Sequence, residues 1–449
     1  MDELYKKISH VSPTKIILFG YCIIIFIGAI LLCLPISSKG GYTSFSDALF
    51  TATSATCVTG LIRFDTYIHW SLFGQVVILL LIQTGGIGFM TLAIALMSAT
   101  RHKIGLSPRV IMQNSISAPQ IGGIVRMTKF IMVGTFIVEA AGAFLLSFYF
   151  CGRFGFAKGL WFSVFHSVSA FCNAGFDLMG SVEPLSSITT INDVYYVNIV
   201  IMLLIFLGGL GFFVWKDVLN SRFSLKKMSL QSKIVISTSV VLVVIGALGI
   251  FIIELGGKAF EGMGLGQSVI ASFFQSVTSR TAGFNSVDLA SLREASLFVM
   301  ICLMIVGGST GSTAGGIKTT TFAALILSVA ATVRRRKYCE IFGRRLEDGL
   351  LSTVSCIFII YILLSVVSAI IISAWDGFTM LESLYETVSA IATVGVTLGI
   401  TAELSFAPKI LIIILMIIGR VGSITVLLAL ASPKSVVNAK FPVEKIQVG

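Results

Sequence analysis

Four short stretches of this chain repeat one pattern: FTATSATCVTGL at 50–61, FHSVSAFCNAGF at 165–176, FQSVTSRTAGF at 274–284 and YETVSAIATVGV at 385–396. Each opens on an aromatic residue, runs through small and hydroxyl-bearing residues, and closes around a glycine: Gly60, Gly175, Gly283 or Gly395. Those glycines are 115, 108 and 112 residues apart. A second echo, GGIGF (85–89), GGLGF (208–212), GGSTG (307–311) and GRVGS (419–423), starts 25, 33, 24 and 24 residues later. Two signals in the same order, four times, mark a fourfold internal repeat. Generic glycine enrichment in membrane helices accounts for one such motif but not for the pairing.

The surroundings of the repeat are apolar. Of 449 residues, 56% are hydrophobic and 12% charged, against about 25% charged in soluble domains. That excludes a soluble enzyme, a disordered chain and a nucleic-acid binder. Eight segments are long and apolar enough to cross a membrane, which takes about 20 residues: 16–35, 72–99, 128–150, 194–215, 233–255, 295–332, 350–374 and 407–431. The sixth is too long for one span and contains a Gly/Ser/Thr run. Between the members of each pair lies a stretch too short to cross, at 44–57, 159–172, 268–279 and 379–392, followed by one of the four glycines. A short helix with irregular backbone at membrane depth is tolerated only where protein or water covers it, which describes a re-entrant pore loop.

The predicted fold is therefore an all-α polytopic membrane protein. It has four tandem repeats of span, pore helix, loop and span, with pseudo-fourfold symmetry around one pore. The repeats fall at 14–100, 125–217, 232–333 and 350–432, with tails at 1–13 and 433–449. Of the 32 Lys and Arg, 22 lie on the side of the termini and 7 on the other, while Arg280, Lys318 and Arg420 sit in membrane segments. The positive-inside rule puts both termini in the cytoplasm of a cell-membrane protein. The net charge of +11 then belongs to cytoplasmic loops.

Four loops around one axis can replace the hydration shell of a cation with backbone carbonyls. Glycine supplies the unusual backbone angles, and each pore helix aims the negative end of its dipole at the centre. The expected carbonyl donors are Cys57, Val58 and Thr59 before Gly60; Cys172, Asn173 and Ala174 before Gly175; Arg280, Thr281 and Ala282 before Gly283; and Ala392, Thr393 and Val394 before Gly395. Few carboxylates flank these tips. The eight cysteines form no CxxC pair and read as small apolar filler.

Span six carries VGGSTGSTAGGIKTTT (306–321). Gly307, Gly308, Gly311, Gly315 and Gly316 work against a continuous helix, and Ser309, Thr310, Ser312 and Thr313 can satisfy broken backbone bonds. A polar loop at 307–316 beside the ion path can block it. Arg420 lies deep in span eight, where a charge costs at least about 2.5–3.5 kcal/mol, and is expected to contact this loop and hold it closed. Lys318 either anchors the inner end of the loop or reaches the cytoplasmic surface. Glu139 is read as a structural hydrogen-bonding group, with a role in the ion path as the alternative. His166 reads as structural, and Arg280 is expected to pair with a carboxylate behind its loop.

The fourfold repeat, its four glycines, TSRTAGFNS (278–286) and GGSTGSTAGGIKTT (307–320) resemble the Trk/Ktr/HKT superfamily of potassium transporters over essentially the whole chain. The length and TCVTGL are most similar to the bacterial Ktr membrane subunit. The resemblance implies a single-ion filter at Gly60, Gly175, Gly283 and Gly395, selective for K+ because the first position is glycine. It also implies an intramembrane gating loop, a homodimer, and a cytosolic ring of RCK-type nucleotide-binding subunits. The chain itself shows no organic cofactor and no P-loop or Rossmann fingerprint. Na+ coupling stays open. The basic segments 216–233 and 334–345 can meet anionic membrane lipid. A secondary transporter for another cation or a small organic solute is the competing reading; it calls for inverted repeats. A membrane enzyme would need a clustered constellation, and His10, His69, His102 and His166 are scattered.

Overall fold

Long apolar helices alternate with short buried ones. In the computed structural model, which describes residues 13–99, 106–115, 122–336, 338–347, 349–422 and 425–426, four helices are long and apolar enough to cross a membrane. They are Pro13–Cys33, Ile124–Phe154, Leu230–Glu254 and Leu350–Asp376. Only 22–33% of their most apolar windows is buried. Their outer faces present residues such as Phe19, Ile137, Ile245 and Ile359, as lipid-facing helices do. Apart from Pro13, the expected tails lie outside the described residues, as do 423–424 and 427–431 of the last expected span.

After each long helix comes a shorter one: Phe45–Cys57, Phe156–Cys172, Leu265–Thr278 and Met380–Ile391. Their starts are specified locally. Ser44 caps the first by accepting from the Asp47 amide at 3.2 Å, and Thr379 and Glu382 form a capping box on the last, satisfying amides that a helix start leaves open. Their C-terminal halves are fully buried, from Phe50 to Cys57 in the first and from Tyr385 to Ile391 in the last.

The second helix of each set departs from the expected unbroken span. The stretch 72–99 is two helices, Leu72–Ile87 and Phe89–Ala99. The stretch 194–215 is also two, Tyr195–Leu210 and Phe212–Asn220, bent by 91°. Span six divides into Glu294–Ile305 and Thr319–Val333 around a non-helical segment. The last described helix, Phe406–Val421, also stops inside its expected span. Three of these breaks share one backbone state: Gly88 at φ 86°, ψ 127°, Gly211 at 89°, 143° and Gly422 at 97°, 130°. Side-chain-bearing residues avoid that region, and glycine enters it freely. In repeats one, two and four the fourth position of the echo is thus a glycine helix breaker, which its apolar setting conceals.

Near the Thr319–Val333 helix, the basic segment forms a two-stranded hairpin that pairs Glu340 with Arg345 and Ile341 with Arg344.

Candidate functional site

The four short helices direct their C-termini to one place, and the loops that follow meet in a closed ring. A β-carbon built on Gly60 would lie 2.5 Å from the Ala174 carbonyl oxygen, and one on Gly175 2.7 Å from that of Ala282. On Gly283 it would lie 2.8 Å from the Val394 carbonyl oxygen, and on Gly395 it would strike that of Thr59. Each oxygen belongs to the residue just before the glycine of the neighbouring loop. The order runs once around the four loops and closes, so the arrangement is rotational. No side chain fits at any of the four glycines without displacing main chain.

The loops also share their backbone angles. Val58, Asn173, Thr281 and Thr393, each two residues before its glycine, are left-handed at φ 56°, 61°, 74° and 53°. The glycines themselves lie at 95°, 70°, 86° and 94°. Positive φ on both sides of a residue of ordinary φ turns successive peptide planes the same way, so neighbouring carbonyls face one side. Val58, Thr281 and Thr393 are β-branched, for which this state is a genuine outlier costing about 1–3 kcal/mol each. Only Asn173 is of a type that favours it, so this conformation was not legible residue by residue.

Buried hydroxyls brace the ring. The fifth position of the repeat is Ser54, Ser169, Thr278 or Ser389, none of them solvent-accessible. The Gly60 amide donates to Ser54 Oγ at 3.1 Å and the Gly395 amide to Ser389 Oγ at 3.0 Å. Ser169 and Thr278 instead donate to the carbonyls of Phe176 and Phe284, both at 2.6 Å. The second position does similar work farther out. His166 Nδ1 donates to Phe162 O at 2.7 Å, leaving Nε2 to accept from the Leu178 amide at 3.3 Å. Gln275 Nε2 reaches Ser286 Oγ at 3.3 Å, and the Glu386 carboxyl accepts from Thr397 and Thr401 at 2.6 and 2.5 Å. The recurrence of a hydroxyl at position five was visible in the sequence; its partners were not.

On one side of the ring is a cavity of about 350 Å³, lined by all four glycines and by Asp177, Glu183 and Asp288. These carboxylates follow the loop tips, where few were expected. Asp177 is pushed up to about 7, chiefly by burial and further by the Asp65 charge nearby.

On the other side lies the segment between Ile305 and Thr319. Its ends are stitched together: the Gly307 amide donates to Ile317 O at 2.9 Å and the Thr319 amide to Gly308 O at 3.1 Å. The loop between them docks on the broken Tyr195–Leu210 helix. The Ser309 amide donates to Gly209 O at 2.9 Å and the Phe212 amide to Gly311 O at 2.8 Å, while Thr313 Oγ1 donates to Phe171 O at 3.1 Å. It also lies against the ring. A β-carbon on Gly307 would lie 3.1 Å from Thr281 Cγ2, one on Gly315 3.0 Å from Thr393 Cβ, and one on Gly316 3.3 Å from Ala392 O. Beyond it, a cavity of about 250 Å³ is lined by Thr310, Ser312, Gly316, Lys318 and Arg420.

Three cationic side chains hold the segment by its carbonyls. Arg420 donates to Thr313 O, and also to Gly85 O and to Gly86 O at 3.2 Å. Lys318 Nζ donates to Ala314 O at 2.8 Å, which anchors the loop. Arg280 departs from its expected carboxylate pairing. It donates to Ser239 O and Oγ, both at 3.3 Å, and to Gly307 O at 3.1 Å. No carboxylate pairs with it among the described residues; carbonyl dipoles from two other elements hold it instead. Glu139 accepts from Gln83 Nε2 at 3.0 Å and lies 3.7 Å from Cys172 Sγ, in keeping with a hydrogen-bonding role. Among the described residues no cluster of His, Cys, Asp or Glu is suited to hold a metal.

Residues 22–438 match the family model described as TrkH, cation transport protein. The chain is 38% identical to the potassium/sodium uptake protein NtpJ of Enterococcus hirae, covering all of both proteins. It is 37% identical to the Ktr system potassium uptake protein B of Bacillus subtilis, over all of this chain and 99% of that one. Its fold is similar to the crystal structure of the potassium transporter TrkH from Vibrio parahaemolyticus. The TM-score is 0.74 at 20% identity, over 94% of this chain and 86% of the other.

Proposed function

The chain belongs to the TrkH family of cation transport proteins, and from that premise we propose that it carries K+ into the cell through the ring of four glycines. The observation that carries this reading is the rotational closure of the ring, with the carbonyl before each glycine facing the neighbouring loop. Carbonyls so placed can replace water around one cation without a charged side chain. The residues from Cys57 to Gly60, Cys172 to Gly175, Arg280 to Gly283 and Ala392 to Gly395 form the filter. Buried oxygens without a hydrogen-bond partner, Thr59 Oγ1, Asn173 Oδ1 and Thr393 Oγ1, support an ion path here, because leaving such groups unpaired costs about 1–3 kcal/mol each. The carboxylate-bearing cavity is the outer mouth.

The segment 307–316 is the gate, held shut by Arg420 and Lys318. The chain makes eight membrane segments and four re-entrant helices, in repeats at 14–100, 125–217, 232–333 and 350–432, with both termini cytoplasmic. It works as a homodimer under a cytosolic nucleotide-binding ring. Its cargo is K+, and Na+ is the second cation to test.

The test is flux into proteoliposomes of the purified chain, comparing K+, Rb+ and Na+ for wild type and Gly283→Ser. K+ and Rb+ should exceed Na+, and the serine should weaken that preference, because at φ 86° its β-carbon meets main chain. Equal flux of all three ions in wild type, or unaltered selectivity in Gly283→Ser, would refute the filter.

A further inference from the structure

An apolar groove on the outside of the second repeat ends in two unpaired basic residues. Arg126 and Lys129 stand at the start of the Ile124–Phe154 helix, both exposed, and neither has an ion pair among the described residues. Val133 and Ile137 continue the same helix face at three- to four-residue spacing. Eleven residues separate Arg126 from Ile137, about 16 Å of helix. Trp215 and Leu219 of the bent Phe212–Asn220 helix form the opposite wall. Gly134 faces the indole across the groove, where a β-carbon would stand in ordinary van der Waals contact with Trp215 Cζ3, at 3.5 Å. The Trp215 N–H is already used, donating to Leu207 O at 3.1 Å, so the ring presents only apolar surface. The groove encloses about 530 Å³.

We propose that this groove binds one anionic phospholipid of the surrounding bilayer, with its phosphate on Arg126 and Lys129 and an acyl chain along Val133, Ile137 and Trp215. Charge complementarity selects the occupant: a cationic end on an otherwise apolar trough matches a lipid with a negative head group. Tryptophan at the wall suits the membrane interface.

The site is also wired to the segment 307–316. The groove wall begins at Gly211 and Phe212, where the Phe212 amide donates to Gly311 O at 2.8 Å. The Trp215 ring lies 5.6 Å from Phe171 and 5.7 Å from Phe212, and the Phe171 carbonyl accepts from Thr313 Oγ1. Lipid occupancy therefore biases the position of the loop. This coupling rests on the uptake reading above; the binding site does not.

Native mass spectrometry of the full chain in detergent, with phosphatidylglycerol or phosphatidylcholine added, tests the site. Wild type should retain phosphatidylglycerol roughly 30-fold better, the preference expected of two basic groups at a membrane surface. Arg126→Gln/Lys129→Gln should lose the preference. Val133→Trp, which fills the trough and keeps both charges, should lose retention of either lipid. Equal retention by all three proteins overturns the site. So does rapid disulfide crosslinking of Leu219→Cys between copies in the bilayer, which would put a second chain in the groove. In vesicles with and without phosphatidylglycerol, wild-type Rb+ flux should differ about threefold, within the range of couplings between distant sites. The variants should give one flux in both vesicles. Variants that respond like wild type overturn the coupling. Absence of flux in every vesicle overturns the uptake reading, while the mass-spectrometric result still decides the site.

Discussion

Arg420, near the end of the last described helix, donates through Nη1 to the main-chain carbonyl of Thr313, in the loop that interrupts an earlier one. The same guanidinium holds Gly85 O and Gly86 O, so one side chain ties three distant segments beneath the glycine ring. A charged hydrogen bond contributes about 1.5–3 kcal/mol. If the loop is the gate, Arg420→Ala should raise basal Rb+ flux of the purified chain on the order of tenfold. Wild-type flux in a variant that remains folded in detergent would remove Arg420 from the gate.

Ser389 Oγ accepts the Gly395 amide in a fully buried setting. Ser389→Ala should cost about 1–3 kcal/mol, the price of an orphaned buried N–H, and should narrow the Rb+/Na+ flux ratio. Ser389→Thr should keep most of both, since it retains a hydroxyl that can accept the Gly395 amide; Thr278 at the equivalent position of the third repeat shows a β-branched hydroxyl accommodated there, although its own hydroxyl donates to Phe284 O. Thermal unfolding in detergent and paired flux assays separate the two variants; identical behaviour would show that the hydroxyl does not hold the loop.

Asp177, in the carboxylate-lined cavity beside the glycine ring, is pushed up to about 7, so it is mostly neutral at pH 6 and mostly charged at pH 8. On the proposed reading of the ring as the cation path, a new negative charge raises the local concentration of a cation on the order of twofold at about 10 Å in water. The KM for K+ should therefore fall about twofold between pH 6 and pH 8, and Asp177→Asn should flatten that slope. Measuring Rb+ uptake kinetics in both proteins across this range decides it. A slope retained in Asp177→Asn would remove Asp177 from the effect.

The seam between the first and last repeats is ionic. Asp47 meets Arg63 at 2.7 Å and the buried Lys409 at 2.6 Å, and Arg63 also donates to Leu404 O at 3.1 Å. Asp47→Ala leaves Lys409 buried without its partner, a loss of about 3–5 kcal/mol. Removing both charges in Asp47→Ala/Lys409→Met should restore most of it. A thermal-shift double-mutant cycle reads the difference, and additive losses would contradict the pairing.

Much of this is legible in the sequence. Period and spacing marked the four glycines and the Gly/Ser/Thr segment, because positive φ and helix breaking are local properties of glycine. The depth of Arg420 in an apolar run announced a protein-facing partner, because a charge is costly at that depth. The breaks at Gly88, Gly211 and Gly422 stayed hidden: apolar neighbours on both sides read as one span, and hydropathy does not register a φ near 90°.

From its residues alone, this chain is built for a membrane, carries four glycine loops and has one interrupted membrane segment. Those properties arise from composition, period and the backbone freedom of single residues. The assembled fold alone brings the Thr59 carbonyl to face Gly395 rather than another loop, holds Val58, Thr281 and Thr393 left-handed against their own preference, and gives Arg280 carbonyl partners. Each of these depends on segments more than a hundred residues apart, or on surroundings that outweigh about 1–3 kcal/mol of local strain. Local sequence sets what a residue prefers, and packing sets which preference prevails.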